Sequence, residues 1–201
     1  MSASGEPTEL PATAYAILGM LCFERELTGY DAKKWADASL RHFYWAPATS
    51  HVYRELARLE DRGLVESRGA EADEPRTKRV YRITAAGRAA VAAWAATPTD
   101  EAMVVKHPAA LRVWLGHLVG AGDVRTIVER HIAQVRTRLG EIDESLAVAE
   151  TLPGMDYPRA VLRWSRGVHQ ADLDGAIAFL AELVAQTAVQ PPSTGRVTPV
   201  T

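Results

Sequence analysis

The stretch from Pro47 to Ile83, PATSHVYRELARLEDRGLVESRGAEADEPRTKRVYRI, decides the predicted fold. Proline can open a helix, because the first helical residue needs no N–H donor. Apolar residues then recur at a spacing of four and three, which is typical of one buried helical face; they are Val52, Leu56 and Leu59. Gly63 predicts the end of this helix, since glycine readily adopts the left-handed conformation found there.

Two short strands are predicted after this helix. Leu64 and Val65 begin the first strand, and the β-forming residues Val80–Ile83 make the second. The polar run 69–78 between them predicts a long hairpin. Helix, strand, hairpin and strand is the order of a winged helix, whose helix can enter a DNA groove while the hairpin lies beside it on the backbone.

The residues before this stretch predict two further helices. Pro11 opens the first helix, and Thr28 and Asp31 form a capping-box pattern at the start of the second. The second helix is expected to end near Leu40. The second and third helices then form a helix-turn-helix, and the two strands form its wing.

The second half of the chain is predicted to be helical. Thr84 caps a fourth helix ending near Ala96, and Pro108 starts a fifth that is expected to continue through Leu118. A long helix over 123–150 carries apolar residues at alternating spacings of four and three, a heptad seam; they are Val128, Ile132, Val135, Leu139, Ile142, Leu146 and Ala149.

A heptad seam needs a partner helix. The last predicted helix, over 157–186, carries Val161, Trp164 and Val168 and can pack antiparallel on the seam within one chain. Two helices alone make a thin core, so a second copy of the chain is expected to complete it. The seam positions 128–146 and these three residues are therefore predicted to mediate dimerisation.

The predicted fold class is mainly α with a small β-wing, an N-terminal winged helix-turn-helix plus a C-terminal helical dimerisation domain. The run Thr97-Pro-Thr-Asp100 marks the boundary. The Pro/Ser/Thr-rich end of the chain predicts a disordered tail. The predicted organisation is a flexible N-terminus over 1–10, the winged helix over 11–97, the helical domain over 98–188 and the tail over 189–201.

Composition and charge limit the classes of protein to which the chain can belong. The chain has 201 residues, a net charge of −2 and one cysteine, Cys22, which allows no intrachain disulfide. No apolar run approaches the roughly 18 residues of a membrane span, and the N-terminus lacks a secretory signal pattern. A cytoplasmic protein without a membrane partner is expected. Residues 1–98 carry 13 Lys+Arg and 13 Asp+Glu, so overall charge gives no separate argument for DNA binding.

Candidate DNA-reading residues lie near the start of the third helix, where recognition helices contact base edges. A helical wheel points Ser50 and Arg54 away from the buried face and places His51 and Tyr53 on its flanks. The predicted base readers are Thr49, Ser50, His51 and Arg54, with Tyr53 available to a phosphate. The alternatives are a half-buried core role for Tyr53 and ion pairs on the helix surface for Arg54.

The predicted wing carries a basic cluster. Arg76, Lys78, Arg79 and Arg82 fall within seven residues that contain no acid. Long cationic side chains there can reach DNA phosphates, so Arg76, Lys78 and Arg79 are the candidate backbone contacts. The alternative is a solvated charged hairpin, since many charge runs have no other role.

Aromatic residues suggest a ligand, whereas catalytic patterns are missing. Trp94, Trp114 and Trp164 are spread over several helices and could hold a flat effector; the alternative is an ordinary role in the core or an interface. The six histidines form no HExxH pattern and have no cysteine partners. With no glycine-rich phosphate loop and no GxSxG turn, no catalytic residue, cofactor or metal site is predicted.

The sequence resembles the PadR family of bacterial transcriptional regulators, in its longer C-terminal-domain subgroup. The segments that carry the resemblance lie in order within residues 12–97; they are AYAILGML from Ala14, TGYD from Thr28, VYRELARLE from Val52, GLV from Gly63 and YRITAAGR from Tyr81.

The resemblance implies a homodimeric winged-helix repressor that binds a palindromic operator in double-stranded DNA and responds to a small aromatic effector. Many members carry Gly-Thr-x-Tyr-Pro in the recognition helix, where this chain has Ser50-His-Val-Tyr-Arg54. This departure bears on which operator is read. The alternative is a winged helix that contacts proteins without binding DNA, which the neutral N-terminal half leaves open.

Overall fold

Helices form most of the chain in the computed structural model, which describes residues 10–23, 26–69 and 79–189. The elements run in the order α1 (Ala12–Leu21), β1 (Leu27–Thr28), α2 (Gly29–Ala38), α3 (Thr49–Asp61), β2 (Val65–Arg68), β3 (Val80–Ile83), α4 (Ala85–Ala96), α5 (Pro108–Trp114), α6 (Ala121–Glu150) and α7 (Asp156–Val189). Short 3-10 helices follow α2 and α5, at Leu40–His42 and Gly116–Leu118. None of the described helices is long and apolar enough to cross a membrane.

The described residues form two units. One contains the residues up to 102 together with 152–158, and the other contains 103–151 and the residues from 159 onward. The first unit holds the helix-turn-helix and the sheet, and the second holds α5, α6 and most of α7. The predicted class, mainly helical with a small β-wing, is confirmed.

The predicted capping box sets the start of α2. The Asp31 N–H donates to Thr28 Oγ1 over 3.1 Å, and the Thr28 N–H donates to Asp31 Oδ2 over the same 3.1 Å distance. Two backbone donors at the helix start are thereby satisfied. Ala32 and Ala36, one turn apart on α2, are buried in the core that α1 and α3 complete.

The third helix has the predicted buried face and the predicted end. Val52, Leu56 and Leu59 are all buried in the same core. Gly63 has a φ of +67°, the left-handed conformation that glycine adopts without strain. The Leu64 N–H donates to the Leu59 carbonyl over 2.9 Å, and the Gly63 N–H donates to the Glu60 carbonyl over 2.8 Å. This pair of hydrogen bonds is a Schellman motif, and it turns the chain from α3 into β2.

The sheet has three antiparallel strands in the order β1-β3-β2. In the hairpin Val65 lies opposite Ile83, so both buried side chains meet the core that α1 and α3 also share. The other edge strand is the two-residue β1, in which Leu27 pairs with Tyr81 of β3. This strand was not predicted. The hairpin between residues 69 and 79 lies outside the described residues.

The fourth helix starts at the predicted cap, and its first turn packs tightly on the chain. Thr84 Oγ1 accepts a hydrogen bond from the Gly87 N–H over 3.1 Å. The same hydroxyl lies 2.8 Å from the Gly63 carbonyl oxygen and 3.1 Å from that of Leu64. A Cβ on Gly87 would fall 2.1 Å from the Leu64 carbonyl oxygen, so this close approach requires glycine.

In the second unit the heptad seam of α6 is covered within the same chain. Val128, Ile132, Val135 and Leu139 are buried with Leu173 of α7, and partly buried residues of α5 and α7 pack against them; these are Val113, Ala176, Phe179 and Leu180. The seam thus has partners on two helices. The prediction of one continuous helix from Pro108 through Leu118 was wrong: α5 ends at Trp114, and a 3-10 turn follows at Gly116–Leu118.

Candidate nucleic-acid interface

The first turns of α3 present the residues predicted to read DNA on the outer side of the helix. Thr49, Ser50 and Arg54 are exposed, and His51 is half-buried beside them. Nη2 of Arg54 lies 3.0 Å from Nδ1 of His51. Because a guanidinium can only donate, the imidazole nitrogen accepts this hydrogen bond. The contact holds two of the predicted readers together at the N-terminal end of the helix.

His51 is positioned by two further contacts. Its ring packs edge-on against Trp45, with ring centroids 5.5 Å apart and planes at 90°. Its Nε2 lies 3.6 Å from Oε1 of Glu55, one turn later on α3. Glu55 is only 5% exposed, and its Oε2 has no hydrogen-bond partner among the described residues. A buried carboxylate thus lies next to the half-buried imidazole.

Tyr53 lies on the flank of α3, at its junction with α2. The residue is 45% exposed. Its ring covers the start of α2 so closely that a Cβ on Gly29 would lie 2.4 Å from Cε1 of the ring. Gly29 therefore leaves the space in which this aromatic side chain lies.

Exposed aromatic residues precede α3, and none of them was among the predicted site residues. Phe43, Tyr44 and Trp45 are all exposed, at the end of the connection between α2 and α3. Large apolar side chains at the surface beside a candidate binding helix often belong to a binding site. The signal was present in the sequence as four consecutive aromatic or imidazole residues, His42 to Trp45.

The arginines of the wing strands are exposed, and each has an acidic partner. Arg79 Nη1 lies 3.4 Å from Oε2 of Glu60. Arg82 Nε donates to Oε1 of its cross-strand neighbour Glu66 over 2.9 Å. Exposed ion pairs are worth only about 0 to 1 kcal/mol, so a phosphate can replace the carboxylate at little cost. The predicted contacts Arg76 and Lys78 lie outside the described residues.

The residues predicted to mediate dimerisation divide into two groups. Val128, Ile132, Val135, Leu139 and Ile142 on α6 are buried within the chain, and Leu146 is half-buried. On α7, Val161 is half-buried, Val168 is exposed, and Trp164 is 76% exposed. The first group stabilises the helical unit itself, and the second leaves apolar surface available.

The three tryptophans considered for an effector have different surroundings. Trp94 of α4 stacks on Tyr15 of α1, with ring centroids 4.6 Å apart and an interplanar angle of 9°. Trp114 and Trp164 belong to the helical unit, and both are more than 70% exposed. The stacked pair is a packing contact between α1 and α4, whereas the other two indoles are open to solvent.

A polar cluster in the helical unit was not predicted. Asp172 of α7 lies between two imidazoles: its Oδ1 is 3.1 Å from Nε2 of His107, and its Oδ2 is 3.1 Å from Nε2 of His131. Partial burial raises the pKa of Asp172, but hydrogen bonds from His131 and His107 lower it by more, so the pKa lies below its usual range. The carboxylate is therefore charged at neutral pH.

Comparison with known proteins adds to this geometry. Residues 17–93 match the family described as Transcriptional regulator PadR-like family. Over 80 residues the chain is 34% identical to the negative transcriptional regulator PadR of Bacillus subtilis (strain 168), a match that covers 40% of this chain and 43% of the relative. The matched region is thus less than half of that relative's length.

Two crystal structures of Bacillus subtilis PadR show that the fold is shared over most of the chain. The complex with operator DNA superposes with a TM-score of 0.74 and 21% identity, covering 86% of this chain and 99% of the other. The complex with p-coumaric acid superposes with a TM-score of 0.68 at 21% identity, with the same coverage of 86% and 99%. At this identity the likeness concerns the fold.

Proposed function

We propose that the chain is a PadR-like transcriptional regulator that binds a palindromic operator as a homodimer, since residues 17–93 match that family. The observation that carries the proposal is the outer side of the first two turns of α3 on a winged-helix fold, where Ser50 and Arg54 are exposed. Side chains at this position of a recognition helix can reach base edges in the major groove. Bacillus subtilis PadR, which shares the fold, has been crystallised with operator DNA.

Contacts to bases and contacts to phosphates have different roles in DNA binding. A bidentate arginine–guanine contact discriminates between bases, so Arg54 is assigned to sequence reading together with Thr49, Ser50 and His51. Contacts from arginine, lysine or tyrosine to phosphates supply affinity without sequence information. We assign this second role to Tyr53 and to the wing residues Arg76, Lys78 and Arg79.

Two arginine substitutions test this division. Arg54→Ala should reduce the preference for operator over scrambled DNA by about 1 to 3 kcal/mol, the value of one base contact. Arg79→Ala should weaken both kinds of binding together and flatten the salt dependence by about one unit of slope. The measurement is fluorescence anisotropy with operator and scrambled duplexes across a salt series.

Arg62→Ala serves as the matched control, because Arg62 is an exposed arginine at the C-cap of the same helix, far from its first turn. It should leave the sequence preference unchanged. If Arg54→Ala lowered both affinities equally, Arg54 would be a phosphate contact. If the wild-type chain bound no promoter duplex at all, the winged helix would instead be a module for protein contacts.

The homodimer part of the proposal rests on the apolar surface of the helical unit. Trp114, Trp164 and Val168 are exposed in a single chain. Trp164 and Val168 are one turn apart on α7, and an apolar face on a helix surface often marks an interface. We infer that a second copy covers it, with the helices α6 and α7 of both chains forming a shared core.

Sedimentation equilibrium of the wild type should report about twice the chain mass of 21.9 kDa. Trp164→Asp should shift the population toward monomer, because a carboxylate buried in an apolar interface without a partner is costly. Trp164→Phe keeps the aromatic surface and is expected to remain dimeric. A wild type that sediments as a monomer at micromolar concentration would contradict the dimer.

We also propose that the regulator is a repressor and that a small aromatic molecule releases it from DNA. Bacillus subtilis PadR is named a negative regulator and has been crystallised with p-coumaric acid. Trp94, Trp114 and Trp164 are the candidate contacts. By linkage, such a molecule must bind the DNA-free state more tightly than the DNA-bound state. A regulator of this kind acts in the cytoplasm and catalyses no reaction.

Tryptophan fluorescence tests the effector. Titration with hydroxycinnamic and benzoic acids should quench the emission of the wild type and raise the dissociation constant for operator DNA over the same concentration range. Replacing Trp114 with Phe should remove part of the quench, and replacing Trp45, outside the candidate set, should not. Aromatic acids that change neither fluorescence nor DNA affinity would remove the support for this mechanism.

A further inference from the structure

We propose that His107, His131 and Asp172 form a binding site for one divalent transition-metal ion in the helical unit. One ligand atom from each of the three residues lies within 4.8 Å of the other two. The two imidazole Nε2 atoms are each 3.1 Å from a carboxylate oxygen of Asp172. Tetrahedral zinc with bonds of about 2.0 to 2.1 Å places its ligand atoms about 3.3 Å apart, so both imidazole–carboxylate pairs already have nearly the required spacing.

The ligands come from three separate elements. His107 is the N-cap of α5, His131 lies in α6, and Asp172 lies in α7. All three are half-buried, and the two imidazole rings lie with centroids 4.6 Å apart. An ion at this position would join the start of α5 to both long helices, whose packing holds two of the ligands in place.

The donor set indicates the class of ion. Two imidazoles and one carboxylate suit zinc, cobalt, nickel or ferrous iron. Magnesium and calcium take oxygen ligands, and only one residue here supplies them. The cluster lines a cleft of about 770 Å³ that Val105, Val135 and Val168 also line. Solvent in this cleft can supply the fourth ligand, as in other three-residue metal sites.

Metal binding changes the positions of the imidazole protons. Coordination needs a free lone pair on each Nε2, so each neutral imidazole must carry its proton on Nδ1. His131 can do so by changing tautomer. Nδ1 of His107 accepts a hydrogen bond from the Ala110 N–H over 3.0 Å, and this single cap contact is lost when the proton moves there. Three coordinate bonds replace one cap and two hydrogen bonds to Asp172.

The test uses the full-length chain without an affinity tag, purified in the presence of a chelator and then dialysed. Titration with CoCl₂ should produce visible absorption bands at one equivalent per chain, and ZnCl₂ should remove them by displacing cobalt. Asp172→Asn and His131→Ala should each weaken binding by about 100-fold or more, since even residues that only support a ligand change affinity by about 10- to 100-fold. His117→Ala, an exposed histidine of the same unit, should have no effect.

Thermal unfolding gives an independent measurement. Zinc that binds the folded state should raise the Tm of the wild type and of His117→Ala, and should leave Asp172→Asn unchanged. Asn has the shape of Asp, so this variant tests the site even where His131→Ala does not fold. A wild type without one equivalent of bound cobalt, or equal affinity in Asp172→Asn, would overturn the proposal. The cluster would then be a hydrogen-bonded brace between α5, α6 and α7.

Discussion

Leu139→Asp is expected to lower the free energy of unfolding of the helical unit by about 4 kcal/mol or more. Leu139 is 7% exposed and belongs to the buried cluster of α6 and α7. Truncating a buried leucine costs about 2 to 5 kcal/mol, and placing an unpaired carboxylate there adds the cost of removing a charge from water. The measurement is urea unfolding followed by circular dichroism at 222 nm.

A pH series separates the charge from the loss of packing. A carboxyl group buried in apolar surroundings has a raised pKa. The loss of unfolding free energy in Leu139→Asp is therefore largest at neutral pH, where the carboxyl group of the unfolded state is fully ionised. Lowering the pH should shrink the difference from the wild type. Leu139→Met, which preserves apolar volume, should cost less than about 1.5 kcal/mol. A deficit for Leu139→Asp no larger than that of Leu139→Met would show that this position is not in a core.

The winged helix could be predicted because its signals are local. The spacing of Val52, Leu56 and Leu59, the capping box at Thr28 and the glycine at position 63 each predict one feature of the chain. All are confirmed in the structure. Local preference and tertiary packing agree in this part of the protein, so periodicity placed the buried face, and the capping box and the glycine placed the helix ends.

Other features depend on contacts that a sequence pattern does not contain. A two-residue strand such as β1 shows no alternation, and only its pairing with Tyr81 defines it. The apolar spacing of Leu111, Leu115 and Leu118 fits a helix, but all three side chains are exposed. Burial of these three side chains therefore does not favour a longer helix, and the glycine at position 116 disfavours helix by about 1 kcal/mol, so α5 ends early.

One candidate site could be predicted from the sequence, and the other could not. A helical wheel placed Ser50 and Arg54 on the outer side of α3, because exposure on one helix follows from periodicity. The cluster around Asp172 joins residues 65 and 41 positions apart in sequence. No motif of fixed spacing describes it, and the packing of three helical elements brings it together.

Gly87→Ala is expected to destabilise the winged helix by about 3 kcal/mol, near the upper end of typical overpacking costs. The added Cβ would lie 2.1 Å from the carbonyl oxygen of Leu64, 3.0 Å from its carbonyl carbon and 2.8 Å from Cγ1 of Ile83. The Leu64 carbonyl cannot move freely, because it also accepts the Thr84 N–H over 3.1 Å. The first turn of α4 must therefore shift away from the end of α3.

The destabilisation by Gly87→Ala is informative because intrinsic helix propensity predicts a gain in stability. Alanine is favoured over glycine inside a helix by about 1 kcal/mol. Gly19→Ala in α1 is the matched control: apart from its chain neighbours and the helix's own backbone, no atom of the described residues lies within 4 Å of the Cβ position there. This control should therefore stabilise the same unit by roughly 0.5 to 1 kcal/mol, as expected for an unhindered helical site.

Thermal unfolding of both variants, measured beside the wild type, should give shifts of Tm in opposite directions. The shift of Tm should be larger for Gly87→Ala than for Gly19→Ala. The Gly87→Ala substitution should also reduce operator affinity at temperatures where the wild type is folded, because α3 and the wing are joined through the turn at Leu64. Equal stabilisation by the two substitutions would show that α4 does not approach the Leu64 carbonyl as closely as the structure places it.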